Sequence, residues 1–314
     1  MGNYFENIVF IANMGEDTIS IVDLLTMREQ DRIHLNNGFG HKAAKKPALG
    51  PHHAIVDYNK KYLYTTSSHN ASIGIVDLIQ NKMVDNIYVG SCPSHIAICK
   101  RNKTIYVSNT DSNSISAIDL STGGLLTQIP VGRMPHDIKL STDQHKLYVS
   151  NVDSGTLSVI DTTTNYLEKT IDVFPNPYHL TLNKAGTLLF IVNTSFSPME
   201  EGSITILDSQ EMQTVDRIKI GKMPIEAVLD KDEENLFITD AELNAVNILD
   251  IKERKQVERI CVGRMPGSIE KDTKNRYMIV GNIQDNTVTI IDAVTLKVLK
   301  NIVVGMEPSG ISCM

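Results

Sequence analysis

A chain of 314 residues, 41% hydrophobic and 21% charged, has the make-up of a globular protein that buries a core, which excludes a disordered chain. Its formal net charge of −7, with no Trp, 7 Phe and 10 Tyr, speaks against a nucleic-acid partner, which needs a basic face or stacking platforms. No run approaches the roughly 20 apolar residues of a membrane helix, and the opening MGNYFENIVFIAN has neither the basic start nor the apolar core of a leader, so a cytoplasmic protein without a membrane partner is expected. Cys92, Cys99, Cys261 and Cys313 match no zinc spacing and are expected to be reduced thiols.

In chain order, the first β-rich run is Asn7–Asn13. The stretch His34–Gly50 then interrupts the pattern before a regular period sets in. Prolines at 51, 93, 135, 177, 224, 266 and 308 are spaced by 42, 42, 42, 47, 42 and 42 residues. Aspartates that close a hydrophobic run, Asp77, Asp119, Asp161, Asp208, Asp250 and Asp292, follow the same period, with Asp23 preceding them. One unit, Arg133–Val173, predicts four strands rich in Val, Ile, Thr and Tyr: A over His136–Leu140, B over Lys146–Asn151, C over Thr156–Asp161 and D over Tyr166–Val173. The extra residues of the longer unit are Ser195–Gly202, between strands B and C. The chain ends on a spare strand A, Pro308–Met314, which complements the strand B at its start.

Four antiparallel strands per 40-odd residues, repeated with matching ends, predict an all-β, seven-bladed β-propeller closed by the C-terminal strand joining the N-terminal blade. Blade 1 takes 1–35 and 306–314; the others take 51–90, 91–132, 133–174, 175–221, 222–263 and 264–305, with 36–50 inserted. The segments LYVSNVDSGTLSVIDTTT, IYVSNTDSNSISAIDLST and YMIVGNIQDNTVTIIDAVT, with the VGRMP and VGSCP junctions, resemble the YVTN-type propellers, which include surface-layer-like and YncE-like proteins. Gly50–Thr66, GPHHAIVDYNKKYLYTT, is similar to the lactonase-type propellers. The first resemblance covers the whole chain and implies the fold; neither carries an activity with it.

Residues present in every blade serve the blade. The repeat-ending aspartates are expected to accept from the amides that follow them, and the junction glycines Gly90, Gly132, Gly221, Gly263 and Gly305 to permit a sharp D-to-A turn. Tyr64, Tyr106, Tyr148, Phe190 and Phe237 read as packing between blades. Function is sought where the copies differ. Both insertions, and every histidine except His145, map to one face, here called the top, which carries the D-to-A and B-to-C connections.

Two residues after each proline stand His53, His95, Asp137, His179, Glu226, Ser268 and Gly310, a ring of imidazoles and carboxylates at the channel mouth. Imidazole and carboxylate are ligands for Fe, Cu, Mn and Zn, so His53, His95, His179, Glu226 and Asp137 are the expected ligands of a transition metal ion. His52 and His136, one residue earlier, are placed to move protons. The small side of the ring, Gly267, Ser268, Ser309 and Gly310, would admit a small-molecule ligand from the top, with 38–50 as a lid. The expectation is a metal-binding propeller, an oxidoreductase or lyase. The alternatives are a non-catalytic scaffold with a protein partner and a metal-independent, lactonase-like hydrolase. Arg133, Lys222 and Arg264 read as solvated charges, Asn109, Asn151, Asn193 and Asn282 as residues that either line a bowl on the top face or simply form tight turns, and Cys92 as a bystander.

Overall fold

A computed structural model describes residues 7–38, 49–57, 59, 61–197 and 199–314. The expected lid, with His41, lies outside the described residues apart from its ends. Seven four-stranded antiparallel sheets make seven blades, and in the first the order is Pro308–Cys313, Ile8–Asn13, Thr18–Asp23, Arg28–His34, so the C-terminal strand closes the ring. In that seam Val9 lies opposite Cys313 and Ile11 opposite Ile311.

Strands B and C carry β-branched residues on both faces because each blade is packed between two neighbours. Period-two alternation sends Phe10 into the cluster shared with blade 2 and Val9 and Ile11 into the cluster shared with blade 7. Seven such clusters fill the seven interfaces, and the predicted aromatic residues are among them: Tyr106 is 0% exposed, and Phe190 and Phe237 are 1% exposed. Strand D is the solvated outer edge, and Leu125, Tyr166 and Val303 are exposed there.

The turn chemistry is as read for the aspartates: Asp161 accepts from the Thr163 and Thr164 amides (2.7 and 2.9 Å), and Asp208 and Asp292 accept in the same way. The junction glycines have another cause. Only Gly221 among them has positive φ (68°); the left-handed residue is the one before proline, such as Cys92, Met134 or Met265. A Cβ on Gly90, Gly132 or Gly263 would instead lie 2.6, 2.7 or 2.6 Å from the side chain of Asn109, Asn151 or Asn282. Those asparagines are fully buried and donate to strand C hydroxyls, as Asn109 does to Ser114 and Ser116, so they brace the blade and do not line a bowl. Arg133 and Arg264 are exposed and paired with Asp153 and Asp285.

Candidate functional site

The A strands form the channel wall, and each starts with an irregularity. Pro51 pairs with Ser67 and Ala54 with Thr65, so His52 and His53 together face Thr66; blades 3, 4, 6 and 7 repeat this bulge. A bulge suspends the alternation of side chains, which is how two successive residues come to face inward. Four bulges are braced by a strand B hydroxyl. The amides of His53, His95, Asp137 and Glu226 donate to Thr66, Ser108, Ser150 and Thr239 (2.9, 2.9, 3.0 and 3.1 Å). Each hydroxyl in turn donates to a carbonyl of the next blade, at Ser94, His136, Tyr178 and Gly267. Sequence reasoning missed these four residues. Their signal was a Ser or Thr one place before the residue that ends strand B.

The ring expected from the sequence does line the channel. His53, His95, Asp137, His179, Glu226, Ser268 and Gly310 border one cavity of about 680 Å³. A second tier two residues further on includes Lys139 and Glu270, and the mouth carries Lys184, Glu233, Lys271 and Asp272. These last residues end or follow the A strands, so the cavity opens on the face of the A-to-B turns, opposite to the top approach expected. His52 and His136 are absent from its wall. They stand nearer the top, with ring centroids 5.5 and 4.7 Å from His95, and Tyr178 lies 3.9 Å from His136. Nor is Gly310 a gap for substrate: a Cβ there would meet the His52 carbonyl oxygen at 2.5 Å and His53 Cα at 2.9 Å, so blade 2 backbone fills that side.

Hydrogen bonds set the tautomers. Nδ1 of His52, His95 and His136 faces the carbonyl of Ser94, His136 and Tyr178 (3.3, 3.1 and 3.2 Å). A carbonyl only accepts, so Nδ1 carries the proton and Nε2 keeps a lone pair. His179 is reversed: the Ala227 amide donates to its Nδ1 (3.3 Å), which puts its proton on Nε2, 3.4 Å from Asp137 Oδ2 and 3.3 Å from Glu226 Oε1. Asp137 also accepts from the Ile138 and Leu180 amides, both at 2.7 Å.

Electrostatics divide the ring in two. Burial, helped by neighbouring imidazoles, holds His95 and His136 well below the usual histidine range and His53 down at about 3. Burial also lowers His52. At His179 burial works against the charged form, but Asp137 and Glu226 outweigh it and raise the pKa. Burial raises Asp137 and Glu270 despite Lys139 nearby. Burial likewise keeps the Cys92 thiol protonated, in line with a bystander.

For a metal, the donor chemistry fits but the spacing does not: among the described residues, no three His, Cys, Asp or Glu side chains stand close enough to share an ion. His179 moreover presents a proton, not a lone pair, to its neighbours. The arrangement as it stands is an acid–base group, His179 between two carboxylates, beside a cluster of neutral imidazoles.

Seven sheets around a polar channel, shut by a seam between the chain ends, define the class as a seven-bladed propeller with a recessed channel site. Within that class, the chain belongs to the families described as YNCE-like beta-propeller, matched over residues 96–307, and lactonase, 7-bladed beta-propeller, matched over residues 5–170. No curated protein matches. Among solved structures, the chain is similar to Kuenenia stuttgartiensis hydrazine synthase (19% identity, TM-score 0.77, covering 87% of this chain and 93% of that one). It is also similar to a functionally unknown protein from Desulfotomaculum acetoxidans DSM 771 (12% identity, TM-score 0.79, covering 97% and 98%). At these identities the likeness is one of fold. No helix among the described residues is long and apolar enough to cross a membrane.

Proposed function

We propose that this propeller binds a small polar molecule in its central channel, admitted from the face of the A-to-B turns and held against the ring of His53, His95, Asp137, His179 and Glu226. The supporting observation is the His179 imidazole, set between Asp137 and Glu226 at 3.4 and 3.3 Å along the wall of a cavity of about 680 Å³. A recess with a few convergent polar groups is the usual form of a ligand site, and a shared proton lets the site follow a change of charge on its ligand.

A second reading, a site for Fe, Cu, Mn or Zn, draws on the Nδ1 bonds of His52, His95 and His136, which leave Nε2 in the ligating form. It requires side chains to swing inward. Elemental analysis of tag-free protein, with thermal melts against a panel of small polar molecules, separates the two. A ligand should raise the melting temperature of the wild type and not of His179→Ala or Glu226→Gln. Shifts that persist in both variants would contradict the channel reading. Near one equivalent of metal, lost when His53, His95 and His179 are replaced together, would move the assignment to a metal site.

A further inference from the structure

The ring contains a pair of groups that do not satisfy each other. His95 Nε2 and Asp137 Oδ1 face one another at 3.9 Å. Because His95 Nδ1 carries its proton toward the His136 carbonyl (3.1 Å), Nε2 is an acceptor, and a carboxylate oxygen is an acceptor too. Both residues are buried, at 7% and 4% exposure. Asp137 Oδ1 already accepts from the Ile138 amide (2.7 Å), and its second lone pair, with that of His95 Nε2, leaves a place for a donor between them. The surroundings add acceptors. Glu226 reaches the ring beside His179, and Ser268, 3% exposed and bordering the cavity, has no partner for its hydroxyl oxygen. His53 Nδ1 is likewise without a partner.

The size of the gap favours one kind of donor. An ion about 2.1 Å from both His95 Nε2 and Asp137 Oδ1 would see them at roughly 135°, wider than a tetrahedral angle and midway between the cis and trans positions of an octahedron, so it matches neither geometry. A nitrogen about 2.85 Å from both sees them at roughly 85°, within reach of N–H bonds that diverge tetrahedrally. Charge points the same way, since of the imidazoles beside Asp137 and Glu226 only His179 turns a proton toward them, and in the next tier Lys139 and Glu270 offset each other.

We infer that the ligand of this ring is a small primary ammonium, donating N–H bonds to His95 Nε2, Asp137 and Glu226. This rests on the channel reading and names the ligand's chemical class. His53 and Ser268 would contact the carbon or polar substituent next to the nitrogen.

The test is calorimetric titration of the wild-type protein with methylammonium, tetramethylammonium, acetate and urea at constant ionic strength. Methylammonium should bind at least tenfold more tightly than tetramethylammonium, which has the charge but no N–H. Asp137→Asn should weaken it at least tenfold, and Glu226→Gln, remote from the bulge of blade 4, by several-fold with its fold checked by circular dichroism. Equal binding of the two cations would overturn the hydrogen-bonded ammonium. Binding of acetate or urea, abolished by the same variants, would overturn the ammonium but leave the channel site standing. Silence from every probe, with variants indistinguishable from wild type, would overturn both.

Discussion

A histidine that folding forces to stay neutral makes stability depend on pH in a definite direction. His52, His53, His95 and His136 all have folded pKa values below the ordinary one, that of His53 at about 3. Below pH of about 6.5 the unfolded chain takes up protons that these residues refuse, so their contribution is intact above that pH and is lost as the pH falls toward their folded values. His179 acts oppositely: its folded value is raised, so its contribution is fully present below the ordinary histidine pKa and lost as the pH rises through the raised value. Asp137, also raised, costs stability above its folded value. Four lowered imidazoles stand against one raised imidazole, His179, and two raised carboxylates, Asp137 and Glu270, so urea melts should show a net fall in stability from pH 7 to pH 5, by up to about 1.4 kcal/mol per pH unit for each histidine titrating only in the unfolded chain. His53→Gln should flatten that slope. A stability that is level or rises toward pH 5 would contradict the assignment of neutral imidazoles.

At the scale of strands, the bulge decides which side chains meet. Register counted from the prolines was enough to bring His53, His95, Asp137, His179 and Glu226 to one wall, because the repeat keeps a fixed length through strand A. Alternation alone does not place His52 beside His53 on the inside; that takes the two-against-one pairing with Thr66, which leaves no mark in hydropathy. The open end was misjudged for a related reason. Loop length and histidine count pointed to the top, whereas the space is set by second-tier side chains such as Thr181 and Ser312. The hydroxyls that brace the bulges give a direct test. Ser108 accepts from the His95 amide (2.9 Å) and donates to the His136 carbonyl (2.6 Å), so Ser108→Ala leaves the buried His95 amide without a partner and the His136 carbonyl with His95 Nδ1 alone. A loss of about 2 kcal/mol is expected in chemical denaturation, mostly restored in Ser108→Thr. A loss below experimental error would show that the bulge holds without its hydroxyl.

For the molecule as a whole, closure was legible early, because a lone strand B at one end and a lone strand A at the other can only complete each other. Deleting Pro308–Cys313 should strip Ile8–Asn13 of a partner and open the channel wall between blades 7 and 2. The expected result is an aggregating or non-cooperatively unfolding protein by size exclusion and thermal melt, with a synthetic peptide of residues 306–314 restoring part of the transition. A truncated chain that melts cooperatively at the wild-type temperature would mean that six blades and three strands suffice.

The same seam has a mechanical meaning. Ile8–Asn13 and Pro308–Cys313 run antiparallel with Val9 beside Cys313, so the outer ends of both strands lie side by side. Tension applied between those ends loads one rung at a time, as in unzipping, and never strains the full ladder in shear. A fold held shut against heat by that pairing should therefore yield to a gentle pull from residues 8 and 313, and resist far better when stretched between points on two different blades.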